Sequence, residues 1–184
     1  YIYPSGSDTN VMSYFNIGTT GGTSDFGDLT SARYSVGGLS NATRGLFAGG
    51  QEGGGRTATI EHIVFDAPAT ATTFGSLHQT QTGVGGIANA TRGIFCGGYS
   101  NDDTMEFYSL SATTGSATDF GNLISGRSGI SGVSGNTRGC ICGGSSSSAS
   151  FEDDIQFVTI DTQGQAENFG DLVIGNKNAG TGAA

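Results

Sequence analysis

Three arginines, Arg44, Arg92 and Arg138, stand 48 and 46 residues apart in a 184-residue chain that has only seven Lys and Arg. A cation recurring at fixed spacing could build an anion-binding ring on one face of an array. It could equally fix a turn by donating to backbone carbonyls or to a neighbouring unit's Asp25, Asp119 or Asp171. The repetition itself favours this structural role, because a site seldom uses the same residue in every unit. Arg33 and Arg127 form a looser second set, broken by Gln81 and Asn176.

The remaining chemistry-bearing residues are few. His62 occupies a place that other copies of the same phrase fill with Tyr14, Phe107 and Phe157, so it reads as an aromatic substitute rather than a general base. His78 falls where other copies have Thr30, Ile124 and Val173 and reads as a surface residue. Serines are abundant, but no repeat supplies the base and orienting acid that a nucleophile needs. Asp8, Glu52, Asp102, Asp103, Glu152, Asp153 and Asp154 lie in segments that differ most between repeats: 7–11, 51–59, 99–103 and 145–154. Variable loops on a repeated scaffold are where recognition usually resides, so these seven are the candidate binding residues. Their hard oxygen ligands would suit Ca²⁺, but no loop has EF-hand or RTX spacing. A solvated acidic rim without a cofactor is the favoured reading, with Ca²⁺ as the alternative.

The elements that must position these residues follow from the repeats. NATRGLFAGG (41–50) returns as NATRGIFCGG (89–98) and GNTRGCICGG (135–144). Phe-Gly-Asx/Ser-Leu occurs four times, at 26–29, 74–77, 120–123 and 169–172, and before each lies a related apolar phrase, at 12–17, 60–65, 105–110 and 155–160. Each unit therefore reads as four short strands, for example 32–40, 44–50, 59–65 and 70–77. Four antiparallel strands per 45–50 residues is the pattern of a propeller blade. Phe26, Phe74, Phe120 and Phe169 are expected to fill the space between blades. Glycines such as Gly37, Gly38, Gly85 and Gly86 are expected where inner strands converge.

The unit boundaries are approximately 1–29, 30–77, 78–123 and 124–172 within one domain, with 173–184 closing onto 1–6. Residues 1–6 align with a second strand and 172–184 with a first, so the termini are expected to pair in one sheet and close a four-bladed ring. The alternative is an excerpt from a longer propeller.

Composition supports an all-β chain. Gly is 34 of 184 residues without a three-residue period, Pro is 2, and 3.6-spaced helical runs are missing. A net charge of −9 disfavours nucleic acid and anionic membrane surfaces, and no apolar run reaches the roughly 18 residues of a membrane span. The three cysteines, Cys96, Cys140 and Cys142, lack CxxC spacing and read as small buried hydrophobes.

The order Arg33, Gly49-Gly50, Glu61 and an aromatic before Leu77 resembles the kelch repeat, with Phe where Trp is usual. SLSATTGSATDFGNLISGR (109–127) and NATRGLFAGG are more specifically similar to repeats in virion structural proteins of marine tailed phages, particularly cyanophages. That resemblance implies a virion, extracellular location and a non-enzymatic tail- or fibre-associated role in adhesion or scaffolding. The implied partners are other virion proteins or a host-surface glycan or protein, with a homo-oligomer as a further form; nucleic acid and membrane insertion are not expected. A secreted or surface lectin-like adhesin is the second reading. A sialidase- or glycosidase-type propeller ranks last: TSDFGDLT (23–30) distantly resembles the sialidase Asp-box, but the other copies lose its hydroxyl or its Asp, and no arginine cluster or Tyr nucleophile can be assigned.

Overall fold

A computed structural model describes residues 9–146 and 150–176, and among these there are sixteen strands and no helix. They form four sheets, mostly antiparallel, that follow one another along the chain. The first pairs β1 (Val11–Tyr14) with β2 (Ser24–Asp28). The second runs β3 (Gly37–Ser40), β4 (Arg44–Ala48), β6 (Gly55–Val64), β7 (Thr72–Gln81), with β5 (Gln51–Glu52) folded back on β6. The third runs β8 (Gly85–Ala88), β9 (Arg92–Gly98), β10 (Asp102–Ser109), β12 (Thr118–Asn122). The fourth runs β13 (Ser131–Ser134), β14 (Arg138–Cys142), β15 (Asp154–Thr159), β16 (Glu167–Asp171). A two-residue strand, β11 (Gly115–Ser116), leaves the third unit and pairs parallel with β7.

The Phe-Gly phrase has a definite mechanical role. In all four sheets the pairing slips by one residue at the same place: Met12 faces Gly27 but Ser13 faces Asp25, Ile60 faces Gly75 but Glu61 faces Thr73, Met105 faces Gly121 but Glu106 faces Asp119, and Ile155 faces Gly170 but Gln156 faces Asn168. Each recurrent Phe is thus the extra residue of a β-bulge, which frees it from the ladder and re-aims its side chain. The bulge takes the glycine N–H away from the ladder. In three copies the acid or amide two residues earlier accepts it: Asp25 Oδ1 for Gly27 at 2.9 Å, Asp119 Oδ1 for Gly121 at 3.2 Å, and Asn168 Oδ1 for Gly170 at 3.1 Å. These glycines have φ of 131°, 138° and 150°, a region that side-chain-bearing residues avoid.

Three apolar clusters join consecutive sheets. Phe26 and Leu29 meet Ile63 and Ala71 between the first and second. Leu39, Leu46, Phe74 and Leu77 meet Phe95, Tyr108 and Leu110 between the second and third. Ile87, Ile94, Phe120 and Leu123 meet Ile141, Val158 and Ile160 between the third and fourth. Phe74 and Phe120 are almost fully buried, each worth about 3 kcal/mol of transfer free energy. Phe169 departs from the expected pattern, being mostly exposed.

The strands β3, β8 and β13 lie side by side, and the fit there excludes a side chain at Gly86 and Gly132 but not at Gly38. A Cβ on Gly86 would overlap the Gly38 carbonyl, and one on Gly132 would overlap the Gly86 carbonyl. No closed ring is formed among the described residues. The expected pairing of 1–6 with 177–184 falls on segments outside them.

Candidate functional site

Most of the polar residues singled out by repetition serve the joints between sheets. A buried acceptor recurs at one place of the third strand of the second, third and fourth sheets. Glu61 takes the Thr30 N–H at 2.9 Å, Glu106 takes the His78 N–H at 3.0 Å, and Gln156 Oε1 takes the Ile124 N–H at 2.9 Å. Each donor follows the Phe-Gly phrase of the preceding unit, so the bond fixes how one sheet hands the chain to the next. A buried N–H without a partner would cost about 1–3 kcal/mol, which explains a polar residue in an otherwise apolar strand.

Beside each acceptor the chain leaving the preceding sheet supplies a second contact. Arg33 pairs with Glu61, and both side chains are fully buried. Arg127, 1% exposed, holds Asp154 with two nitrogens, Nη1 to Oδ1 at 2.5 Å and Nη2 to Oδ2 at 3.0 Å, and donates to Gly143 O at 3.2 Å. Gln81 Nε2 donates to Asp102 Oδ2 at 2.5 Å in the middle junction. His78 is exposed, as its position in the repeat suggested, yet its ring also bonds Glu106, and Tyr108 O–H donates to the other Glu106 oxygen at 2.8 Å. The signal for this contact was the recurrent Glu61, Glu106 and Gln156, not the histidine.

These contacts set the titration of two candidate acids. Burial works against ionising Asp102, but the Thr104 hydroxyl and N–H, Gln79 and the His78 charge outweigh it and hold the carboxyl below its usual value. Burial likewise opposes ionisation of Asp154, and Arg127 with Gln156 overcomes it, holding that carboxyl down as well. Burial also pushes the Tyr108 phenol up, and raises Cys96 to about 12. The three cysteines are free thiols; Cys96 is buried, whereas Cys140 and Cys142 are half-buried. His62 is shifted down by burial and by the Arg44 charge, and its ring packs edge-on against Phe74 at 5.9 Å.

The three repeated arginines occupy the opposite end of the sheets from the variable loops. Arg44 donates to Ala112 O in the third unit, and Arg92 Nη1 donates to Ile160 O in the fourth at 2.9 Å. Arg92 also lies over Phe107 at 4.4 Å, and Arg138 over Phe157 at 4.7 Å, as cations do on aromatic faces. Asp25 and Asp119 cap their own bulges instead of receiving an arginine. Asn41 and Asn89 each accept two following N–H groups, closing the turns in which they sit. Their amides reach the next turn, Asn41 to Ala90 O at 2.9 Å and Asn89 to Asn136 O at 3.3 Å.

The candidate binding acids separate into two groups. Asp102 and Asp154 face inward as junction residues. Glu52, Asp103 and Asp153 are exposed, Glu152 is half-buried, and Asp8 lies outside the described residues. Among the described residues no group of three or more His, Cys, Asp or Glu could hold a metal ion. The loop end also presents aromatics that repeat counting did not single out. Tyr99 is 51% exposed and Phe151 62%, and Arg56 from the second sheet stacks on Tyr99 of the third at 4.0 Å.

A cavity of about 360 Å³ lies against β3, β8 and β13, with Phe47 and Phe65 at its side. The described residues that line it are glycine, serine and apolar side chains without a titratable group, so these offer nothing for acid–base chemistry. No helix among the described residues is long and apolar enough to cross a membrane. In comparison with known proteins, the sequence matches no protein-family model and no curated protein.

Proposed function

We propose that the four sheets are the blades of a four-bladed, kelch-like propeller, closed by the terminal strands, that serves as a non-enzymatic virion module for adhesion or scaffolding. The ring reading is supported by three successive sheet junctions of one design and by adjacent inner strands. The observation that carries the functional reading is the division of labour among polar residues. Of those that recur, Arg33, Arg44, Glu61, Arg92, Glu106, Arg127 and Gln156 join sheets, whereas Glu52, Arg56, Tyr99, Asp103, Phe151 and Asp153, on loops that do not recur, are left at the surface. A scaffold of this kind presents a partner with a rigid frame and a freely variable end.

The partner is a host-surface glycan or protein, or another virion protein, met at the loop end. Exposed Tyr99 and Phe151 favour a sugar face as the specific contact, since aromatic rings provide flat apolar area at small entropic cost. The second reading, a cellular lectin-like adhesin, draws on the same two rings.

The test immobilises the protein and probes it with a glycan array and with solubilised virion proteins from tailed phages carrying similar repeats. Tyr99→Ala with Phe151→Ala is expected to abolish capture, while Arg138→Ala, at the other end, leaves it intact. Capture that survives the loop changes and disappears with Arg138→Ala would overturn the assignment of the binding face. Glycan capture with no virion-protein capture selects the lectin-like reading.

A further inference from the structure

Both halves of one more sheet junction are present and uncovered. Phe169 takes the place of Phe26, Phe74 and Phe120, which are at most 8% exposed, yet Phe169 is 58% exposed. Phe15 takes the place of Ile63, Tyr108 and Val158, which are at most 9% exposed, yet it is 63% exposed. Ile17, in the place of Phe65, Leu110 and Ile160, is 93% exposed, where Phe65 is 38% and the other two at most 2%. In the second junction the corresponding pair, Phe74 and Tyr108, meets edge-on with 6.1 Å between ring centres. We infer that Phe169 of the fourth sheet seats on Phe15 and Ile17, which follow β1 in the same chain, and that this fourth junction is the weakest, the seam at which the ring opens. The inference rests on the four-bladed reading.

The course of the chain out of the fourth sheet supports a partner within the molecule. Asn176 O accepts from Gly144 N at 2.7 Å and Asn176 N donates to Glu152 O at 3.2 Å. Arg127 is held in the same way, from Gly98 N at 2.9 Å and to Asp102 O at 3.2 Å, just before the chain enters β13. The segment after β16 therefore departs along the path that elsewhere leads to the next sheet of the array.

The weakness follows from what is missing. The place of Glu61, Glu106 and Gln156 is held in the first sheet by Ser13, whose side chain is too short to reach across and accept the Val173 N–H. The turn amides Asn41 and Asn89, which tie neighbouring turns together, are replaced in the third copy by Gly135. Asn176 stands where Arg33 and Arg127 make ion pairs and Gln81 makes a hydrogen bond to Asp102, so this place carries at most an amide contact in the seam. Among the described residues the seam keeps the apolar seat and lacks the polar locks, so what they contribute is burial.

The chain has no Trp, so Phe169→Trp and Phe120→Trp provide clean single reporters of the seam and of an interior junction. In a monomer, verified by light scattering, the indole of Phe169→Trp is expected to emit to the blue and resist acrylamide quenching. Adding Phe15→Asp should red-shift this seam indole and leave the interior indole of Phe120→Trp unchanged. In urea, the seam indole should become exposed at a lower concentration than the interior one. If Phe120→Trp does not fold, hydrogen exchange of β12 against β16 in the unaltered chain reads the same order. A solvent-exposed seam indole in the monomer overturns the four-bladed reading and the seam with it. Burial only at concentrations where a dimer forms overturns docking within one chain in favour of a second copy. A buried seam indole that becomes exposed together with the interior one overturns the weak seam and leaves the ring standing.

Discussion

Removing either partner of the Arg127–Asp154 pair should destabilise the protein, and removing the acid should cost more. Arg127 is 1% exposed at the side chain and Asp154 is 26% exposed. Arg127→Met retains most of the apolar volume but leaves Asp154 with the Gln156 amide at 2.8 Å and partial access to water. The Gly143 carbonyl loses a donor at the same time. We expect a cost of about 2 kcal/mol, at the low end for a broken buried pair. Asp154→Ala leaves a guanidinium charge in the interior with, among the described residues, only Gly143 O, Ser125 O and Ser125 Oγ to face it, which should cost about 4 kcal/mol. The double variant should cost less than the sum, because the second change relieves the charge stranded by the first.

The same pair predicts the direction of acid sensitivity. Asp154 has a folded-state value below its usual one, so its contribution is complete above the unfolded value of about 3.9 and is lost as pH falls through the folded value. Urea titrations followed by far-ultraviolet circular dichroism, repeated from pH 7 down to pH 3, measure both effects. Equal costs for the two single variants, costs below about 1 kcal/mol, or an undiminished acid loss in Arg127→Met would refute the reasoning.

Two further outcomes test the packing. Gly86→Ala must push against the Gly38 carbonyl, whereas a Cβ on Gly38 meets nothing within 4 Å; thermal melts should show Gly86→Ala clearly destabilised and Gly38→Ala close to wild type. Cys96 is buried with its thiol raised to about 12, so titration with a disulfide reagent at pH 8 should leave one of the three thiols unreacted until denaturant is added.

Much of the architecture could be read from repetition. The spacing of the Phe-Gly phrase locates an outer strand in each sheet, and the apolar phrases before it locate β1, β6, β10 and β15. Phe26, Phe74 and Phe120 lie between sheets as their size and recurrence suggested. The bulge was not legible, because the motif identifies a turn-forming composition but not a one-residue slip in pairing. The first strands are shorter than expected: 32–36 belong to the linker, where Arg33 turns inward to Glu61, and only Gly37–Ser40 enters the sheet. Similarly β7 continues to Gln81, past the Leu77 that ends the phrase. At the candidate site, acidity and loop variability pointed to seven carboxylates alike. Spacing along the chain could not reveal that Asp102 and Asp154 sit within reach of Gln81 and Arg127, more than twenty positions away.

The four bulges have a consequence for how such a chain can change in length. Phe, its bulge glycine and, in three of the four units, the acid or amide that caps that glycine lie within three consecutive residues, and the surface that receives the Phe lies in the third strand of the following unit. Each unit therefore brings both a plug and a socket. Duplication or loss of a whole unit preserves every remaining joint, whereas a partial deletion strands a phenylalanine without a seat. Length variation within such an array should come in whole units, and changes of binding specificity should come through the loops between them, with no redesign of the interior required.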